Sequence, residues 1–342
     1  PYFVEEVYRH LRDDGRLFEA DGSWRTGFSI GATEVPQSVR LILERRLDRL
    51  EAEHRKILGT AAVIGRTFSF EHLAVAGSVD EDSLFDALEA AERLHLIEER
   101  PSDRDARYAF VQEQIRQTLL GELSLPRRQR LHLRIADALD ADARERSPIE
   151  FAHHLHEAGS AAAPERTVSA LLSAAAAAMG ALAFEDSLRH LRRAEPLVEA
   201  ADRPALRSAE ARALRGAGRV DEALAALDGE LSTPEDGIDR TPLRLQRIQL
   251  LLDQYRATEA LTHIDQLIEG LALGQHPEIE LDVHLANGRA HYILSLDDRA
   301  HADLARAAYE EAYAAAAAKG DKRAMALALL PTTWFTDYWV DY

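Results

Sequence analysis

The sequence predicts a mainly α-helical fold with short β-hairpins only. Three observations predict it. Of the 342 residues 46% are hydrophobic but only 6% aromatic, and much of the apolar share is alanine, the best intrinsic helix former. Apolar residues recur at three- and four-residue spacing along most of the chain. In the second half, small residues recur in register at Ser187, Ala223, Ala260 and Ala300, which are 36, 37 and 40 residues apart.

From the start, Phe3, Val7, Tyr8 and Leu11 share one helical face, and Gly15 is a natural stop. Asp21-Gly22 lies between short alternating runs, the signature of a tight hairpin. Pro36 opens a new block. Two helical stripes follow: Val39, Ile42, Leu43, Leu47 and Leu50, then Ile57, Leu58, Ala61 and Ala62. Ser78 and Glu81 have capping-box spacing and predict a helix start, with the helix running to about Leu94. "LIEE" and "RYAFV" flank "RPSDRDA" as a second hairpin. Three helices followed by a hairpin is the order of a winged helix. "QEQIRQTLLGEL" and "RRQRLHLRIADALDA" read as helices. Ser147, Pro148 and Glu150 then supply an N-cap, a first-turn proline and a capping-box partner.

From about residue 164 the chain reads as helical pairs. Ala175, Ala211, Ile248 and Gly288 stand where the first helix of each pair meets the second, and Ile248 breaks the small-residue rule. The spacing is that of degenerate tetratricopeptide repeats, in which stacking neighbours supplies the core. Lys319 and Gly320 end one helix; Lys322 starts another, which Pro331 is expected to interrupt. Residues from about Thr332 then form the first helix of a further repeat. The expected organisation is therefore 1–35, a small helical segment with a hairpin; 36–158, a winged helix with connector helices; and 159–342, a tetratricopeptide-like α-superhelix. Both ends read as cut.

The formal charge of −18 repels phosphates, so direct DNA binding is not expected. The candidate recognition helix sharpens this: Asp80, Glu81, Asp82, Asp86, Glu89 and Glu92 stand against Arg93 alone. Arg127, Arg128, Arg130 and Arg134 form a basic run after the wing, read as a solvated face or a contact with an acidic module. With no cysteine, disulfides and thiol chemistry are excluded. The most apolar run, Ser169 to Phe184, is too short to span a bilayer, so a soluble, cytoplasmic protein is expected, with no membrane partner. Gly27–Gly31 fits a G-x-S-x-G elbow, but a hairpin precedes it and no helix start follows. His153, His154 and His156 are spaced one, two and three apart and share no single helical face, and His284 and His291 have no third ligand. No metal is expected, and no catalytic constellation. Trp334, Tyr338 and Tyr342 fall at i, i+4, i+8 with Phe335 and Trp339 beside them. This aromatic stripe is either the packing face of the next repeat or a partner-binding groove.

"PYFVEEVYRHL", "VPQSVRLILERRLDRL", "ILGTAAVIGRTFSFEHL" and "YAFVQEQIRQTLL…LPRRQRLHLRIADAL" resemble consecutive segments of bacterial STAND-type ATPases. These are signal-transduction proteins with an AAA-like nucleotide module, a winged helix and a tetratricopeptide sensor, often joined to LuxR-type DNA-binding domains, nucleotide cyclases or protein kinases. The resemblance covers roughly residues 1–160. It implies that 1–35 ends an ATPase module whose P-loop lies upstream, and no G-x-x-x-x-G-K-[ST] occurs in the chain. It also implies a regulatory, ligand- or partner-sensing arm that docks on that module, with ATP or ADP and magnesium bound there and no cofactor here. The alternatives are the regulatory part of a cyclase, a kinase or a LuxR-type regulator, or a constitutive protein-binding scaffold. Gln112 stands where the family has a nucleotide-sensing His; Gln donates a hydrogen bond but carries no charge.

Overall fold

The computed structural model describes residues 46–101, 106–141, 147–233, 239–271 and 277–338. The expected 1–35 segment with its hairpin, the Gly27–Gly31 motif, the stripe from Val39 to Leu43, and Trp339 and Tyr342 lie outside the described residues. The chain divides into two compact units between Ser173 and Ala174.

The first unit runs α1 (Ala52–Ile64), β1 (Thr67–Ser69), α2 (Phe70–Gly77), α3 (Glu81–Arg93), β2 (Ile97–Arg100), β3 (Arg107–Phe110), α4 (Glu113–Glu122), α5 (Leu125–Ala141) and α6 (Pro148–Ala158). α1 is its hub. Every residue from Ile57 to Ile64 is buried, because α2, α3, α4 and α5 all pack on this helix. The sheet order is β1-β3-β2, both pairs antiparallel, with Phe68 opposite Tyr108 and Ile97 opposite Phe110. Phe68 and Phe110 are buried, their ring centroids 5.6 Å apart. Helix, strand, two helices and an antiparallel strand pair closing on the first strand is a winged-helix arrangement, but β1 and α2 fall where the sequence pattern predicted no element.

One helix start differs from expectation. Ser78 closes α2 in the left-handed region (φ 49°), and Asp80 caps α3, its side chain accepting from the Ser83 N–H at 2.9 Å. The Ser78–Glu81 capping box does not form. A carboxylate two residues later is the better cap, because it accepts the orphan N–H bond and meets the positive end of the helix dipole. That bond holds the Asp80 carboxyl below its ordinary range. Ser147 does cap α6 as expected, accepting from the Glu150 N–H at 3.4 Å with Pro148 in the first turn.

α7 (Pro164–Gly180) spans the division, and the second unit continues with α8 (Phe184–Ala194), α9 (Arg203–Gly216), α10 (Val220–Leu231), α11 (Thr241–Asp253), α12 (Ala257–Leu271), α13 (Pro277–Ser295), α14 (Ala300–Lys319) and α15 (Lys322–Tyr338). From α8 on, each helix packs on the next, and α9, α11 and α13 also pack in succession. This is the stacking of helical pairs that a tetratricopeptide-like fold requires. The predicted pair positions meet directly in the first pair, where the Ser187 hydroxyl donates to the Ala175 carbonyl at 3.0 Å. Ala211, Ala223, Ile248 and Ala260 are all buried.

The turns inside these pairs are also alike. Leu182, Gly218 and Tyr255 take up left-handed φ values of 58°, 76° and 58°. After each, the next residue's N–H bonds a carbonyl five residues back: Ala183 to Ala178, Arg219 to Leu214, Arg256 to Leu251. This is a Schellman-type closure. Two expectations fail further on. Ala300 is exposed, and the contact at Gly288 is made by Tyr309: a Cβ on Gly288 would come within 2.8 Å of that ring. α13 and α14 have 19 and 20 residues, longer than the helices before them, so their contact lies further along. Pro331 does not interrupt α15, which runs unbroken from Lys322 to Tyr338. The next first helix thus begins at Lys322 and not at Thr332. Pro331 removes one backbone N–H, and the bonds on either side still carry the helix through.

Candidate functional site: a cationic cleft

The α5 stripe buries Leu131, Ile135, Ala136 and Leu139. A neighbouring stripe places Arg127, Arg130 and Arg134 at i, i+3, i+7, so their side chains rise from one face. That face borders a cavity of about 640 Å³. Its other walls are Glu53, Lys56, Ile57 and Thr60 of α1 and the turn Gly77-Ser78-Val79 between α2 and α3. The turn is held from both sides. Its Ser78 N–H bonds the carbonyls of Ala74 and Val75, and Arg134 donates to the Ser78 hydroxyl.

Four cations, Lys56, Arg127, Arg130 and Arg134, thus face one carboxylate, Glu53, which lies 3.8 Å from Lys56. Arg127 and Arg130 are exposed and have no carboxylate partner among the described residues. Just outside, Arg55 is used structurally, bonding both Glu122 and Asp48; these bonds raise its already high pKa. The cleft lining contains no His and no Cys. Such a lining is complementary to an anionic group.

The cleft does not include Gln112. Gln112 follows β3 in an extended conformation as the N-cap of α4, and its side-chain Oε1 is buried with no hydrogen-bond partner. Beside it, Glu113 is pinned by Arg116, which holds its carboxyl below the usual range and also reaches the Ala62 carbonyl at 3.0 Å. Of the aromatic stripe, Trp334, Phe335 and Tyr338 lie within α15.

Of the histidines, His153 and His154 are joined by His132 from α5, which sequence spacing did not connect because it lies 22 residues upstream on another helix. His156 is outside this group. His291 pairs with His301, not with His284: their Nδ1 atoms are 2.9 Å apart, and burial lowers the His291 pKa. His284 meets Glu311 at 2.9 Å. The signal that sequence reading lacked is the packing of α5 on α6 and of α13 on α14.

Among the described residues, no helix is long and apolar enough to cross a membrane. No protein-family model matches the chain, and no curated protein matches it. Among solved structures it is similar to a Signal Transduction ATPase with Numerous Domains (STAND) protein with a tetratricopeptide repeat sensor from Pyrococcus horikoshii. That similarity has 15% identity and a TM-score of 0.40, and covers 91% of this chain and 50% of that one. The chain spans about half the length of that protein.

Proposed function

We propose that the chain is the regulatory and partner-sensing arm of a STAND-type signal-transduction ATPase, acting by protein–protein contact without an active site of its own. The motif resemblance over residues 1–160 motivates the reading. One observation carries it: the charged surfaces of the winged-helix unit suit protein and not nucleic acid. α3, the helix that a DNA-binding winged helix presents to the groove, exposes Glu81, Asp82, Asp86 and Glu89 around Phe85. Carboxylates there repel phosphates. The free arginines lie instead on α5, after the wing, beside a cleft that an acidic side chain can enter.

In this reading the cleft docks an acidic surface of an upstream nucleotide module that holds ATP or ADP with magnesium. The helical pairs read a protein or small-molecule signal, with Trp334, Phe335 and Tyr338 as contact candidates. The switch works only if the signal binds the undocked state more tightly than the docked one. The output belongs to the rest of the parent, whether a LuxR-type regulator, a cyclase or a kinase.

The test is the double charge reversal Arg127→Glu, Arg130→Glu in the parent ATPase, read as the rate of ADP release. Faster release is expected because docking is lost; an unchanged rate overturns the docking role. A gel shift of the isolated chain with duplex DNA at low salt addresses the rival. No shift is expected, and a strong shift lost at moderate salt would make the winged helix a DNA reader.

A further inference from the structure

We propose that His132, His153 and His154 form a binding site for one divalent transition-metal ion of the zinc class, bridging α5 and α6. The inference is independent of the reading above. One ring nitrogen from each of the three side chains lies within 4.8 Å of the other two. The rings converge: His132 stands 5.8 Å from His153 at 86°, and 5.1 Å from His154 at 40°. Tetrahedral zinc with nitrogen bonds of about 2.0–2.1 Å places its ligand nitrogens roughly 3.3 Å apart. Small side-chain rotations therefore close the set.

A further observation points to a ligand. His154 is completely buried, and its Nδ1 faces His132 Nδ1 at 2.9 Å. Only one proton fits between those two atoms, so one lone pair accepts and the other ring donates. A cation between the rings would use both lone pairs at once.

The electrostatics agree with neutral ligands. Burial and the neighbouring His153 push His132 down to about 4; burial and His132 push His154 down to about 3. Glu157 favours a positive charge at His132, while Arg128 opposes it; His72 opposes one at His154. His153 is exposed, which gives the ion a route in and leaves a fourth position for water. Three imidazoles select zinc, nickel, copper or cobalt over magnesium and calcium, which need oxygen ligands. The ion would staple α5 to α6.

The test uses the untagged full chain and zinc alone. Calorimetry is expected to show one zinc per chain with at least micromolar affinity, and magnesium no binding. Substitution of cobalt should give the strong visible absorption of a tetrahedral nitrogen site. His154→Ala removes a buried ring and risks the fold, so the decisive variants are His153→Ala and the control His156→Ala. The first, with an unchanged circular dichroism spectrum, should lose at least tenfold in zinc affinity; the second should match wild type. No one-to-one zinc binding overturns the proposal. So does zinc affinity that survives in His153→Ala or falls equally in His156→Ala.

Discussion

Arginine serves opposite ends in the helical pairs and in the cleft. Among the helical pairs it is a clamp. Arg219 holds Glu222 of its own helix and Glu185 of the preceding pair, Arg256 holds Glu259, and Arg289 reaches back to Asp253. Arg219 and Arg256 both follow a left-handed turn residue, so the clamp recurs with the repeat. In the cleft of the winged-helix unit, Arg127 and Arg130 hold nothing among the described residues, and they stand beside two more cations. Like charges gathered without partners contribute nothing favourable to folding. On the proposed reading, substitutions in the helical pairs should change melting, and substitutions at the cleft should change binding far more than stability.

The largest effect expected lies in the pair α13–α14. Tyr309 is buried, burial raises its phenol pKa to about 12, and its ring occupies the space left open by Gly288. Tyr309→Ala leaves a cavity and should destabilise the unit by about 3–5 kcal/mol. Gly288→Ala forces the ring aside and should cost about 1–3 kcal/mol. Denaturant melts of the two variants check this. A Gly288→Ala variant as stable as wild type would show that the close contact is not a packing constraint.

How legible this was in the sequence depends on the kind of signal. Ser187, Ala223 and Ala260 were found by spacing alone, because small residues are needed where two helices cross closely. The same spacing misled at Ala300, since two long helices shift the crossing to Gly288 and Tyr309. The acidic face of α3 was plain from its carboxylates. The cleft was half visible: the basic run on α5 could be read, but Lys56 and the Ser78 turn join it only through packing. His132 was missed for the same reason. A helix face can be read from local periodicity, whereas a site shared between two helices depends on a packing angle that no local pattern carries.

A middle-sized effect is expected at the turns within the pairs. Leu182 and Tyr255 adopt a left-handed backbone that glycine takes freely and other L-residues take at a cost of about 1–2 kcal/mol. Both side chains are mostly in solvent, 73% and 75% exposed, so little packing is lost on replacing them. Tyr255→Gly should therefore raise stability by up to about 1 kcal/mol, offset in part by the greater freedom of the unfolded chain. Gly218→Ala should lower it by a similar amount. Opposite signs at equivalent turns would confirm that the repeat resides in the backbone as well as in the small residues. A loss in Tyr255→Gly would instead give that exposed ring a contact role.

The smallest expected effect is the sharpest test of the comparison. Arg247 of α11 is largely buried and holds both Asp228 and Glu259, so it ties α10, α11 and α12 together. Arg247→Ala should cost roughly 1 kcal/mol, at the upper end for a surface-type pair, because it leaves Asp228 without its cation, while Glu259 keeps Arg256. Arg127→Ser removes a side chain that is exposed and unpaired, and should shift stability by no more than about 0.5 kcal/mol in either direction. A small gain is the expected sign, since the neighbouring Arg130, Arg134 and Lys56 then repel one another less. Salt sharpens the reading: raising ionic strength screens that repulsion, so any gain from Arg127→Ser should fade at high salt. Paired thermal melts at low and high salt measure both variants. A marked loss of stability in Arg127→Ser would mean that this arginine holds the fold together as those of the helical pairs do, and the cleft would then lose its claim to be a surface kept free for a partner.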